Sequence, residues 1–259
     1  YRTGSSNSNI IPNKFGTFYN TGVNSVIASG NNNKITSNCS FIGGGTLNTA
    51  SAACSFIGGG YQNSLLTSTV SAYDSGGNLI SVTVGTGSVI VGGTLNTSSA
   101  DNSFIGGGVN NKIPSGYREG SVIVGGTNNS TISGYYPGPN FKNTFIGGGS
   151  NNKIESFGNA FLGGGSLNTI SGYYHNVIVG GYDNTNSGFY SFIGGGCENT
   201  VSGYCSFIGG GSSNKVTTST AQNSSIVGGT LNTASAACSF IGGGLCNQVT
   251  FQYSSVVGG

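Results

Sequence analysis

The chain of 259 residues has little charge, one histidine, four prolines, and neither methionine nor tryptophan. Charged residues make up 5% of it, against roughly 25% in an average soluble domain. Because the formal net charge is only +2, no nucleic-acid partner is expected. No apolar run approaches the roughly 18 residues that a membrane-spanning helix needs, so no membrane span is expected in this segment.

The residue types that are abundant exclude other common folds. Glycine occurs 50 times and asparagine 32 times, and both are poor helix formers, so a helical bundle is excluded. Collagen is excluded because glycine does not recur at every third residue. The chain begins at Tyr1 and stops inside a repeated motif at Gly259, so we expect it to be a piece of a longer protein.

Catalysis is not expected from the residues present. His175 is the only histidine, so a Ser-His-Asp arrangement has one possible centre, and the next acid, Asp183, falls near the opposite bend of the repeat. The cysteine spacings do not match zinc or haem motifs. Calcium-binding solenoids carry aspartate where these repeats carry asparagine. The sequence therefore predicts a protein that is not an enzyme and that needs no metal and no cofactor.

An internal repeat of 15 residues organises the chain. Its units share the pattern Ser-Phe-Ile-Gly-Gly-Gly or Ser-Val-Ile-Val-Gly-Gly, and length changes fall late in the unit. Fourteen units begin at Ser25, Ser40, Ser55, Ser88, Ser103, Ser121, Thr144, Ala160, Asn176, Ser191, Ser206, Ser224, Ser239 and Ser254. We number each unit from this first residue as place 0.

Three places in the unit hardly vary. Place 2 is Ile, Leu or Val, and place 5 is always Gly. Place 8 is Asn in every complete unit: Asn33, Asn48, Asn63, Asn96, Asn111, Asn129, Asn152, Asn168, Asn184, Asn199, Asn214, Asn232 and Asn247. Stacked identical amides hydrogen-bond into ladders, so we interpret this row chiefly as turn-stabilising, with a ligand-binding row as the alternative.

A unit this short holds two strands and bends but no helix. The predicted fold is therefore all-β, a parallel β-solenoid (β-roll) of about 15-residue coils over residues 25–259. Residues 1–24 are expected to be an N-terminal extension or an atypical cap. An insertion at about 67–87 has two apolar, β-branched runs around a Ser-Gly-Gly-Asn turn, which predicts a protruding hairpin.

Apolar residues occupy both faces of the first strand. Opposite place 2, places 1 and 3 vary together: Phe with Gly, or Val with Val or Ala, which conserves volume as in a packed environment. The phenylalanines are Phe41, Phe56, Phe104, Phe145, Phe161, Phe192, Phe207 and Phe240. A slender coil has one interior, so a second copy is expected to cover one of the two faces. The reverse assignment of faces, or a different covering domain or partner, stays open.

The repeats resemble those of a known group of surface proteins. Ser-Phe-Ile-Gly-Gly-Gly followed by Asn-Thr-Ala-Ser-Ala-Ala-Cys-Ser, over residues 25–259, is similar to the head repeats of YadA-type trimeric adhesins and to related chlorovirus-type surface glycoprotein repeats. The resemblance implies left-handed coils and a homotrimer packed side by side. The longer unit and the triple glycine depart from the adhesin pattern.

Aromatic residues gather at the corner that carries the insertions. They include Tyr117, Tyr135, Tyr136, Tyr173, Tyr174, Phe189, Tyr190 and Tyr204. An aromatic ladder or part of the subunit interface is one interpretation. The other is a platform that binds sugars or a surface receptor, since loops on a rigid scaffold commonly carry binding function.

Cysteine and threonine patterns give two further hypotheses. Cys39 and Cys54 occupy the same place one coil apart, within the Cα range of a disulfide, so we expect them to be oxidised in an extracellular protein. Free stacked thiols are the alternative. Threonines at place 9 resemble ice-binding arrays, but Lys34, Lys112, Lys153 and Lys215 interrupt them.

The leading functional prediction is a structural, adhesive fibre component, extracellular, on a cell surface or a virion surface. A carbohydrate- or receptor-binding fibre tip is the second hypothesis, and an ice-binding solenoid is the third. The sequence does not decide between a viral and a cellular fibre.

Overall fold

The computed structural model describes residues 18–73, 79–115, 120–131, 143–156, 158–217 and 220–259. The chain divides into two compact units, Tyr1–Asn143 and Thr144–Gly259. Their described residues are all-β without a helix, and the two units together hold about 14 turns of about 15 residues. Each complete turn contributes one short strand to each of two parallel sheets, which confirms the predicted parallel β-solenoid.

In the first unit, the first sheet is formed by places 1 and 2 and the second by places 9 and 10. The first sheet contains Val26–Ile27, Phe41–Ile42, Phe56–Ile57, Val89–Ile90, Phe104–Ile105 and Val122–Ile123. The second contains Tyr19–Asn20, Lys34–Ile35, Thr49–Ala50, Ser64–Leu65, Thr97–Ser98, Lys112–Ile113 and Ser130–Thr131. Tyr19 pairs with Lys34, so the solenoid already includes residues before Ser25.

The second unit repeats this arrangement. Its first sheet contains Thr144–Ile146, Ala160–Leu162, Asn176–Ile178, Phe192–Ile193, Phe207–Ile208, Ser225–Ile226, Phe240–Ile241 and Ser255–Val256. Its second sheet contains Lys153–Ile154, Thr169–Ile170, Thr185–Asn186, Thr200–Val201, Lys215–Val216, Thr233–Ala234 and Gln248–Val249. Neighbouring strands pair in register, as Phe192 with Phe207 and Ile193 with Ile208. Like places therefore stack from coil to coil.

The core of each coil is a file of aliphatic side chains from both sheets. Place 2, as in Ile42 and Ile193, has no exposed surface in any coil before the last, where Val256 is half-buried. Place 10 is likewise buried where it is apolar, as in Ile35 and Ile170. Burying one such side chain contributes roughly 1.5–3 kcal/mol. Place 2 therefore faces the interior, and the outward face of the same strand carries places 1 and 3.

The glycine at place 5 is required by the bend that follows the first strand. Gly45 has φ of +81°, a conformation that L-residues rarely adopt. A Cβ at Gly45 would lie 2.1 Å from the carbonyl oxygen of Gly60 in the next coil. Both the dihedral angle and the close approach of the backbones therefore demand glycine.

The predicted hairpin is present in the largest insertion. Ser68–Tyr73 and Leu79–Val84 pair antiparallel, and residues 74–78 lie outside the described part of the chain. Asp101 holds the base of the hairpin: its Oδ1 accepts hydrogen bonds of 2.7 Å from the backbone N–H groups of Gly85 and Thr86 and one of 2.9 Å from the Thr86 hydroxyl. Such charge-assisted bonds fix where the insertion leaves the solenoid.

Thr131 differs from the other buried polar side chains of the core in its hydrogen bonding. Its Oγ1 is buried, and the part of the chain that the structure describes offers it no hydrogen-bond partner. A buried hydroxyl without a partner costs roughly 1–3 kcal/mol. Thr131→Val keeps the shape and removes that penalty, so we expect it to raise the free energy of unfolding by about 1 kcal/mol, measured as a shift of the denaturant midpoint at constant slope.

Ser98→Ala is the matched control for Thr131→Val. Ser98 occupies the same place, but its hydroxyl is hydrogen-bonded to that of Ser103, so its removal should lower stability. A lower midpoint for Thr131→Val would show that its hydroxyl is satisfied in solution.

Candidate functional site

The most extensive candidate site is an outward apolar row on the first sheet, which we call the Phe/Val row. It consists of the phenylalanines at place 1 and the valines at place 3. In the first unit these are Phe41, Phe56, Val91, Phe104 and Val124, and in the second Phe145, Phe161, Val179, Phe192, Phe207, Val227, Phe240 and Val257. Phe161 is 42% and Val91 49% exposed, whereas their neighbours Leu162 and Ile90 are fully buried.

The geometry explains why places 1 and 3 vary together. A Cβ at Gly43 would lie 2.5 Å from the carbonyl oxygen of Gly58 in the next coil and 3.3 Å from Cε1 of Phe41, because the phenyl ring lies over the glycine of its own coil. Units with valine at place 1 leave the space of the ring free for a second branched side chain at place 3. Glycine beside phenylalanine is therefore required both by the ring of its own coil and by the close approach of the next coil's backbone.

Neighbouring rings in the row stack on one another. Ring centroids lie 5.3 Å apart for Phe41 and Phe56 and 5.4 Å apart for Phe192 and Phe207, with planes within 8° of parallel. These contacts cover the ring faces that point along the solenoid and leave the outer edges open. A row of this kind is larger than the scattered apolar residues of an ordinary soluble surface.

The aromatic corner is assembled in the second unit from three successive bends. Tyr173 stacks on Phe189 at 5.2 Å, and Phe189 meets Tyr204 edge-on at 4.5 Å. Beside them, Tyr190 stacks on His175 at 5.3 Å and on Tyr174 at 6.4 Å. Tyr117, Tyr135 and Tyr136, which the sequence assigns to the same corner, lie outside the described residues.

Most of this aromatic cluster is open to solvent. Tyr173, Tyr174, His175, Tyr190 and Tyr204 are exposed, and Phe189 is half-buried between them. His175 and Tyr190 sit at bends with φ of +49° and +54°. The exposed rings therefore form an outward aromatic surface that can pack against a ligand, and its tyrosine hydroxyls can hydrogen-bond to that ligand.

The asparagine row is buried and makes the same contacts in coil after coil. Nδ2 of Asn48 donates to the carbonyl oxygens of Gly44 and Gly60, both at 3.0 Å. Its Oδ1 accepts from the backbone N–H of Asn63 at 2.9 Å. In the second unit the amides also bond directly, as Asn199 Nδ2 does to Asn184 Oδ1 at 3.1 Å. Their polar atoms point into the bends, so this row holds the fold and presents no ligand-binding surface.

The Cys39–Cys54 disulfide is not formed in this structure, in which all six cysteines are free thiols, and oxidation of this pair in the isolated protein stays a prediction. The two residues share a place in neighbouring coils and the same backbone conformation, with φ of +55° and +54°. Equivalent Cα–Cβ bonds in stacked coils run parallel, which keeps the Cβ atoms near the strand spacing of about 4.8 Å. A disulfide needs Cβ atoms about 3.5–4.5 Å apart.

A second set of exposed apolar side chains was missed by the sequence analysis. It lies at places 6 and 7, in the bend after the glycines, and we call it the Leu corner. Place 7 contributes Leu47, Leu95, Leu167 and Leu231. Place 6 contributes Tyr61, Val109, Tyr182 and Leu245. The repetition of Leu before the invariant Asn was the signal in the sequence.

Among the described residues no group of three or more His, Cys, Asp or Glu side chains could hold a metal ion. The place 9 row is uneven, because exposed Lys34, Lys112 and Lys215 stand between half-buried threonines.

No helix among the described residues is long and apolar enough to cross a membrane. Comparison with protein-family models and with curated protein sequences gave no match.

Proposed function

We propose that the chain is a structural, adhesive component of a fibre on a cell or virion surface, assembled from copies of itself and without catalytic activity. The exposed Phe/Val row carries this proposal. Places 2 and 10 already fill the interior of each coil, so the outward apolar side chains of the Phe/Val row add nothing to that core. The row is therefore best explained as a surface that another copy covers, because burying a large exposed apolar surface favours association.

The resemblance to YadA-type and chlorovirus-type repeats adds the geometry of the proposal. We expect left-handed coils and a trimer in which three chains lie side by side. Extracellular placement fits a chain with 5% charged residues and short, internally hydrogen-bonded coils, which need no large core.

A carbohydrate-binding fibre tip is the second candidate function, and the aromatic cluster favours it. Tyr173, Tyr174 and Tyr190 are exposed at successive bends of the solenoid, and His175 lies among them. Sugar rings present flat C–H faces that pack on aromatic rings while their hydroxyls bond to polar groups at the margin.

A glycan array tests this second function. We expect the unmodified protein to bind a subset of glycans and the double variant Tyr174→Ser with Tyr190→Ser to bind them at least about tenfold more weakly. Tyr19→Ser removes a tyrosine that is 51% exposed on the second sheet, outside the aromatic corner, and serves as the control. Equal binding by the double variant and the control would place any glycan site away from the aromatic corner.

A further inference from the structure

The Leu corner is built as four pairs of apolar residues in successive coils. Leu47 is followed by Tyr61, Leu95 by Val109, Leu167 by Tyr182, and Leu231 by Leu245. The eight side chains are between 39% and 60% exposed.

The members of each pair belong to bends that are bonded to each other. The N–H of Gln62, next to Tyr61, donates to the carbonyl oxygen of Thr46, next to Leu47, at 3.0 Å. The equivalent bonds, from Asn110 to Thr94 and from Cys246 to Thr230, are both 2.9 Å. Each pair is therefore a fixed apolar patch that spans two coils.

The leucines are held in an unfavourable conformation. Leu47, Leu95, Leu167 and Leu231 have φ between +58° and +60°. In this left-handed region asparagine and glycine are far better suited than leucine. Other coils indeed place asparagine there, as Asn110 and Asn151. Leucine at this place is thus neither favoured by the bend nor buried by its own chain.

We infer that the Leu corner is a second self-association surface, which packs against the Phe/Val row of a neighbouring copy. This inference rests on the proposed homo-oligomer and specifies its interface. Chains that lie side by side around a three-fold axis, as in the proposed trimer, meet through two different surfaces, since each copy touches one neighbour on either side. The Phe/Val row and the Leu corner lie on adjacent edges of the same coil, separated by the glycine bend.

The composition of the two surfaces favours a second copy over another class of partner. The Phe/Val row and the four pairs of the Leu corner are apolar and repeat with the same stacking of coil on coil, so parallel chains in register can bring a pair of one copy against the row of the next. The charged residues at places 6 and 7 are the exposed acids Asp183 and Glu198, and no Lys or Arg stands there to recruit a nucleic acid or an acidic surface.

Native cysteines report on this interface without any mutation. Cys246 lies at the Leu corner beside Leu245, and Cys205 lies at the opposite bend, and both are exposed in the single chain. When copies associate, alkylation of Cys246 should slow by about tenfold or more relative to Cys205. The rates are measured by peptide mass spectrometry above and below the concentration at which sedimentation shows association.

A variant separates assembly from folding. Leu47→Asn with Leu95→Asn removes two apolar anchors and installs the residue that suits the bend. We expect association to weaken by about tenfold per leucine, from the apolar area lost, while the denaturant midpoint of the dissociated chain stays the same or rises. Gln62→Asn, at the same place in the intervening coil, is the control and should leave association unchanged.

The outcomes distinguish this inference from the proposed function. One outcome overturns only the inference that the Leu corner is an interface. In it, the unmodified protein associates, Cys246 and Cys205 are alkylated at equal rates, and the leucine variant associates as strongly as the unmodified protein. A lower midpoint in the variant would assign the leucines to the fold and overturn it too. Unmodified protein that never associates would remove both proposals.

Discussion

Replacing Phe192 and Phe207 with aspartate is expected to dissociate the oligomer and leave the coil folded. Both rings point outward, and in the single chain Phe207 is 37% exposed, so a carboxylate there stays hydrated as long as the chain is alone. Covered by another copy, two unpaired carboxylates would cost several kcal/mol each. Sedimentation should show single chains, and circular dichroism should retain the β spectrum.

Aspartate at the next residue of the same two strands is expected to destroy the fold itself. Ile193 and Ile208 are fully buried in the same two coils, so Ile193→Asp with Ile208→Asp should abolish the β spectrum itself. Thr200→Asp with Lys215→Asp places acidic groups on the second sheet of these coils and should change neither assembly nor fold. An intact oligomer in the phenylalanine variant would show that the Phe/Val row is not the interface.

Asn199→Ala is expected to cause the largest loss of stability from a single polar side chain. Asn199 is fully buried; its Nδ2 bonds to the carbonyl oxygens of Gly195 and Gly211 at 2.9 and 3.0 Å. Its Oδ1 accepts from the backbone N–H of Asn214 at 3.0 Å. Removing the amide leaves a buried N–H and a carbonyl without these partners, so the free energy of unfolding should fall by about 3 kcal/mol.

Chemical denaturation of the dissociated chain measures this change. Asn110→Gly, at an exposed left-handed bend residue with φ of +54°, is the control and should be close to neutral. A loss of less than about 0.5 kcal/mol for Asn199→Ala would mean that water replaces the amide in the bend.

The fold could be predicted from the sequence because the repeat is nearly invariant where the backbone is most constrained. Place 5 needs glycine for its dihedral angle and its close contact, and place 8 needs an amide that reaches three backbone groups. Together with the aliphatic residue at place 2, these fix the bends and the inward face. Register followed from the unit length, because in-register stacking is the arrangement in which like places repeat their contacts.

Other features depended on geometry that spacing does not contain. Cys39 and Cys54 have a suitable sequence separation, but their side chains run parallel. The strand Tyr19–Asn20 lacks the glycine motif before it, so its membership of the second sheet was not visible. The Leu corner was hidden because Leu47 resembles an ordinary loop residue until its positive φ and exposure are known.

The sedimentation behaviour of the unmodified chain tests the central claim most directly. The outward Phe/Val row predicts a homo-oligomer at micromolar concentration, with three times the 25.8-kDa mass of the single chain if the proposed trimer is right. A stable, soluble monomer under the same conditions would contradict the claim that one strand carries two apolar faces because a second copy covers the outer one.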